Sequence, residues 1–172
     1  MTTSVEWLQN IKQQPAKFTH WLSQQWLAEL EAAKRIHELA SKSPSYKDQM
    51  VLRKIAQDES KHAELLRVLC ERRGIACAAE STGRYYSQIE LDKLSTDELY
   101  AAGHYAEGMR LSRIEAIVQD ADMPQDIRET FTTILKDEQM HEAAFGALAS
   151  EEALRNMQPR HEMGMQALGL TV

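Results

Sequence analysis

Two related stretches, DESKH at residues 58–62 and DEQMH at residues 137–141, decide the fold of this 172-residue chain. Each places a glutamate three residues before a histidine, so both side chains project from one face of a helix, one turn apart. Apolar residues flank the two stretches at matching positions, namely Leu52, Ile55, Leu66 and Leu69 in the first and Phe131, Ile134, Phe145 and Leu148 in the second. This duplication predicts two equivalent helices that face a shared interior.

Each stretch follows another helical segment that carries one glutamate on its apolar stripe. Glu29 interrupts the series 22, 26, 33, 36 and 40, and Glu107 interrupts the series 100, 104, 111, 114 and 118. Spacings of four and three are typical of a helix with one buried face. We therefore predict four long helices, at about 16–40, 45–73, 95–119 and 124–149.

The links between these helices predict how they are arranged. Residues 41–45 and 120–124 are short breaks rich in Ser, Asp and Pro, whereas residues 75–94 are long and irregular. Short links join antiparallel neighbours, and a single long crossover is the arrangement of ferritin-like bundles. We expect one all-α domain over residues 1–172, an antiparallel four-helix bundle with its core at about 16–149. Short extra helices are expected at Ser4–Lys12 and between Ser150 and Pro159.

Composition narrows the class of protein. Seven Gly and four Pro are few for a β-rich chain, and the net charge of −6 argues against nucleic acid as a partner. Cys70 and Cys77 fit neither a disulfide scaffold nor a zinc motif, so a reducing, cytoplasmic setting is expected. The polar first fourteen residues lack the apolar run of a signal peptide, and no apolar stretch is long enough to span a membrane.

The charged interruptions of the apolar stripes carry the chemistry. Four carboxylates and two imidazoles would point at the middle of the bundle, where uncompensated carboxylates repel one another or become protonated. Two divalent cations would balance four carboxylates. The alternative, buried salt bridges between these side chains, leaves excess negative charge inside the protein. The proposed metal ligands are Glu29, Glu59, His62, Glu107, Glu138 and His141.

The order Glu, ExxH, Glu, ExxH resembles the ferritin-like di-iron carboxylate superfamily, which includes bacterioferritins and rubrerythrins. The resemblance covers about residues 16–149 and implies two iron ions, or manganese, with Glu59 and Glu138 as bridging carboxylates. The DExxH form is similar to bacterioferritin-type centres, although Ser60 stands where a haem-ligating Met would be. Rubrerythrins usually add a Cys-rich module and often place a second Glu where this chain has Arg110, so a classical rubrerythrin is not the expected nearest match.

Further residues are candidates for supporting roles. Asp58 and Asp137 are expected to accept hydrogen bonds from the metal-binding histidines, each serving the histidine of the opposite helix. His104 lies one turn before Glu107 and is a candidate proton donor or extra ligand, although a hydrogen-bonded core histidine is the favoured interpretation. Tyr100 is a candidate relay of electrons or protons, and packing is its favoured role.

Three hypotheses for function follow. The preferred one is a non-haem di-iron oxidoreductase, of oxidase, oxygenase or peroxidase type, that uses O2 or peroxide and an unidentified small substrate or electron donor. The alternative is a ferroxidase or iron-handling subunit of a ferritin-like oligomer. A metal-free helical module is the third. If the chain is an enzyme, a monomer or a homodimer is the expected assembly, whereas a storage shell would be a large symmetric oligomer.

Overall fold

The computed structural model describes residues 2–80 and 83–171, and within them it contains helices, turns and one isolated bridge between Thr2 and Leu170. None of the helices in these ranges combines the length and apolar character needed to cross a membrane. The helices are α1 (Ser4–Lys12), α2 (Pro15–Lys42), α3 (Tyr46–Arg72), α4 (Thr96–Gln119), α5 (Gln125–Leu148) and α6 (Glu151–Ala167), with two short 3-10 helices at Tyr86–Gln88 and Leu91–Lys93.

The four long helices pack as two hairpins, α2 on α3 and α4 on α5, and α3 also packs on α5. The predicted end signals are present at the expected places. Ser45 caps α3, and Ser95 forms a reciprocal capping box with Glu98 at the start of α4. Gly74 follows α3 with φ +64°, a conformation that favours glycine at a helix stop. The prediction of an all-α, ferritin-like bundle is confirmed.

The predicted inward stripes of α3 and α5 are buried almost throughout, whereas α4 is buried over a wider arc. Ala101, Ala102 and Ala106 lie outside the predicted stripe of α4 and are each less than 10 % exposed. They pack against the crossover and α6, which cover the second side of this helix. Because these side chains are small, the crossover and α6 can pack close to the backbone of α4.

The crossover between the hairpins is anchored by two residues. Tyr85 and Ile89 are buried among the alanines of α4 and Met157 of α6. The two 3-10 helices of this segment lie between α2 and α4, and these two long helices make little direct contact with each other. The crossover therefore forms a wall of the bundle where the hairpins diverge.

The last helix differs from the sequence prediction. We expected a short helix that ends before Pro159, but α6 continues through this residue to Ala167. A proline inside a helix costs about 3 kcal/mol, and contacts beyond it offset that cost. His161 Nδ1 lies 2.8 Å from the Tyr85 hydroxyl, and the Arg160 guanidinium donates a hydrogen bond to the carbonyl of Ile89. Tertiary packing thus overrides the local stop signal.

Candidate metal centre

The structure brings the six predicted ligand residues into one buried cluster. Each of them is 7 % exposed or less. Their donor atoms form two groups, in each of which one atom per residue lies within 4.8 Å of all the others. We call the first group the Glu29 subsite and the second the Glu107 subsite; their members are Glu29, Glu59, His62 and Glu138, and Glu59, Glu107, Glu138 and His141. Glu59 and Glu138 belong to both subsites.

The two histidines direct the same ring nitrogen into the cluster. Nδ1 of His62 lies 3.4 Å from Oε1 of Glu138, and Nδ1 of His141 lies 2.9 Å from Oε1 of Glu59. Nε2 of each ring faces an aspartate of the opposite helix: His62 is 3.1 Å from Asp137 and His141 is 3.7 Å from Asp58. The His62–Asp137 pair is within hydrogen-bond distance, as expected from the sequence, whereas Asp58 faces His141 on the expected side but beyond that distance.

Asp58 is held in its ionised form by two lysines of its own helix. Burial raises the pKa of the Asp58 carboxyl, but hydrogen bonds and charge attraction from Lys54 and Lys61 outweigh burial and lower the pKa to about 2. An ionised aspartate accepts the N–H of a nearby imidazole and fixes the orientation of the ring. Asp58 is such an anion, but it lies 3.7 Å from Nε2 of His141 and makes no hydrogen bond with it in this structure.

Without cations, the cluster is electrostatically strained. Burial and the charge of Glu138 raise the pKa of Glu59, and burial with the charges of Glu138 and Glu59 raises that of Glu107. Burial also acts on Glu138, but Arg110 and the two histidines outweigh it and hold the Glu138 pKa well below its usual range. Burial lowers the pKa of His141, yet bonding to Glu138 and Glu59 raises it to about 9. The raised pKa values show that Glu59 and Glu107 lack sufficient positive charge around them.

Arg110 is the cluster member that the sequence analysis missed. Its guanidinium forms ion pairs with Glu29 through Nη2 and with Glu138 through Nε, the latter at 3.1 Å. The side chain is only 14 % exposed. The available signal was its position three residues after Glu107, which places both on the same face of α4. An arginine at such a position is usually assigned to the surface.

The two predicted catalytic residues lie outside the cluster. His104 is half-buried, and its Nδ1 contacts the main-chain carbonyl of Glu142 at 3.2 Å and the carboxylate of Glu142 at 3.1 Å. The hydroxyl of Tyr100 is 2.6 Å from that of Ser43, so it fastens α4 to the end of α2. Neither residue belongs to a group of possible metal ligands within the described ranges. Their catalytic roles remain predictions.

Two cavities reach the cluster from the gap between α2 and α4. The larger has a volume of about 330 Å³, and its lining includes Ile36, Leu39, Leu99, Phe145 and Glu107. The smaller, about 180 Å³, is lined by both Glu107 and Arg110. Arg35 and Tyr86 line both cavities, and the Arg35 guanidinium lies 4.3 Å from the centroid of the Tyr86 ring. The Arg35–Tyr86 pair therefore forms part of the wall of both cavities.

The donor set meets the chemical requirements of a site for hard divalent cations. The carboxylate oxygens of Glu29, Glu59 and Glu138 and the inward Nδ1 of each histidine are buried, and the charged contacts that they make within the cluster lack hydrogen-bond geometry. Such atoms are costly to bury and are usually satisfied by a ligand. Carboxylate and imidazole donors suit iron and manganese. These observations show that the residues fit a metal site.

A four-helix bundle whose interior holds this set of glutamates and histidines is a ferritin-like protein of the di-iron carboxylate class. The family model of rubrerythrin matches residues 21–149, so the chain belongs to the rubrerythrin family. No curated protein and no solved structure matches the chain significantly. The family match confirms the predicted resemblance to the ferritin-like di-iron carboxylate superfamily.

Proposed function

We propose that the protein is a non-haem di-iron oxidoreductase that uses O2 or peroxide. Glu29, Glu59, His62 and Glu138 would hold one ion and Glu59, Glu107, Glu138 and His141 the other, so Glu59 and Glu138 would be shared. Two iron ions held in this way supply two-electron redox chemistry. The family and the buried cluster support this assignment.

The surrounding residues act on orientation and access. Asp137 accepts the Nε2 proton of His62 and leaves Nδ1 free to bind, and Asp58 faces Nε2 of His141 at 3.7 Å. Apolar side chains of α2, α4 and α5 limit the entry of water. The lining of the larger cavity also includes charged side chains of both signs, namely Arg35, Lys42 and Asp92.

The larger cavity, whose lining includes Glu107, is the observation that favours an enzyme over an iron-storage subunit. A volume of about 330 Å³ lies in the range of small-molecule sites, which are mostly apolar with a few polar groups. A substrate inside it would lie beside the ligands of the Glu107 subsite. Passage of iron alone does not require a chamber of this size.

The decisive experiment measures iron content, native mass and O2 consumption on the same sample. Protein loaded anaerobically with Fe(II) should hold about two ions per chain, one in each subsite, and should consume up to about one O2 per chain in a rapid burst. Replacing Glu59 and Glu138 together by alanine should abolish iron binding. Metal retention by the double variant would refute the ligand assignment. A large shell-sized oligomer that mineralises iron would favour the ferroxidase alternative.

A further inference from the structure

Arg110 places a permanent positive charge inside one of the two proposed metal subsites. Its guanidinium contacts Glu29, which belongs only to the Glu29 subsite, and Glu138, which both subsites share. It has no ion pair with Glu107 or His141, which belong only to the Glu107 subsite. The two halves of the cluster, nearly identical in ligand type, are therefore unequal in charge.

We infer that Arg110 makes the two subsites bind metal unequally, with the Glu107 subsite filled first and tightly and the Glu29 subsite filled second and weakly. This inference rests on the proposed function, because it requires that the cluster bind divalent cations. It assigns a specificity role to a residue that is not itself a metal ligand. The consequence is an ordered loading of the centre.

The physical reason is competition for the same carboxylates. An ion entering the Glu29 subsite must either share Glu29 and Glu138 with the guanidinium or displace it. Sharing brings a divalent and a univalent cation close together in a buried site, where their repulsion is weakly screened. Displacement breaks two ion pairs. Either route lowers the affinity for the second ion.

The charge balance points in the same direction. Arg110 offsets one of the four carboxylates, so the first divalent ion meets a net negative cluster and leaves one negative charge, whereas the second ion leaves one positive charge. The structure also provides a place for a displaced guanidinium, because Arg110 lines the smaller cavity of about 180 Å³. Loading of the second ion would then coincide with movement of Arg110 towards that cavity.

Titration of metal-free protein with Co(II), followed by calorimetry and by visible absorption, tests the inference. The natural chain should show a tight first step and a second step at least about tenfold weaker. Arg110→Met should tighten the second step at least about tenfold and the first step by a smaller factor, because Arg110 also pairs with the shared Glu138. Arg73→Met is the control, because Arg73 also pairs with a carboxylate, that of Asp126 at 2.7 Å, but lines neither cavity and pairs with none of the six ligand residues. Its titration should match that of the natural chain.

A pair of ligand variants identifies the steps. Glu29→Gln should remove the weak step, and Glu107→Gln should remove the tight one. If Arg110→Met does not fold, Arg110→Lys keeps the charge but cannot contact both carboxylates as a planar guanidinium does, and a second step stronger than in the natural chain is then expected.

Equal affinities of the two steps in the natural chain, or identical titrations of the natural chain and the Arg110 variants, would overturn the inference and leave the metal site intact. The absence of Co(II) binding by the natural chain and by Arg110→Met alike would overturn the proposed function itself. A single bound ion in the natural chain that becomes two in Arg110→Met would support the inference in its strongest form.

Discussion

Replacing Glu59 by glutamine should separate the metal-dependent part of the protein's stability from the rest. Glu59 is fully buried, belongs to both subsites, and has no hydrogen-bond partner on either carboxylate oxygen. Burial and the charge of Glu138 raise its pKa, so in metal-free protein the ionised form is destabilised. Glutamine keeps the shape without the charge, and we expect the metal-free variant to unfold at the temperature of the natural chain or above it.

The effect of metal on the natural chain can be worked from mass action. A cation at 100 times its Kd adds about 2.7 kcal/mol to the free energy of unfolding. For a chain of this length each kcal/mol moves Tm by about 2–4 °C, so Co(II) should raise Tm by about 5–11 °C. Loss of a donor shared by both subsites should reduce this rise in Glu59→Gln to less than about 2 °C.

The assay is a thermal melt followed by circular dichroism, with chelator or with Co(II). Glu64→Gln is the matched control, because Glu64 lies on the same helix but is exposed and paired with Arg67 at 2.8 Å. Exposed pairs contribute about 0–1 kcal/mol, so this variant should keep the full rise. A rise of natural size in Glu59→Gln would show that the cluster does not depend on its shared carboxylate, and the reasoning would fail.

Three further predictions concern pH, orientation and packing. Because the pKa of His141 is raised to about 9, its protonated form stabilises metal-free protein below its unfolded pKa of about 6.5, and Tm should fall as pH rises from 6.5 to 9; a flat profile in chelator would contradict this. Asp137→Asn should weaken Co(II) binding about 10–100-fold by calorimetry, since Asp137 orients His62, and unchanged affinity would remove that role. Gly103→Ala should cost about 1–3 kcal/mol in urea unfolding, because its Cβ would lie 2.6 Å from the Phe145 ring, whereas a stability equal to that of the natural chain would show that the ring yields freely.

The sequence was sufficient to predict the fold because the bundle's determinants are local and repeated. Apolar spacing sets the buried face of each helix, and Ser95 with Glu98 marks a helix start by chemistry that needs no tertiary partner. The grouping of the six ligand residues was predictable for the same reason, since the duplication at an offset of 79 residues implies a symmetric interior. Pro159 was misjudged because contacts from the distant crossover sustain α6 beyond it.

Arg110 could not be assigned from periodicity because the relevant information is its orientation among side chains of two other helices. A long cationic side chain on the edge of a buried stripe can extend outward to water or inward to carboxylates. Four acidic groups in the interior favour the inward orientation, since a guanidinium that pairs with Glu138 lowers the cost of burying both. The excess negative charge of four buried glutamates, which the sequence predicts, therefore also favours a buried cationic side chain such as Arg110.

The crossover, for which the sequence pattern predicts only irregular structure, lines both cavities that reach the glutamate–histidine cluster. Because α2 and α4 barely touch, the segment that carries Tyr86 supplies the wall between them, and its ring lies against Arg35 where both cavities meet. Burial raises the pKa of the Tyr86 phenol against the pull of Arg35, and the charge of Glu107 adds to the rise, so the hydroxyl stays neutral beside the cluster. If the proposed ligands bind metal, Arg110 is the side chain placed to affect how the ions load, and Tyr86 is a wall residue placed to affect what enters the two cavities.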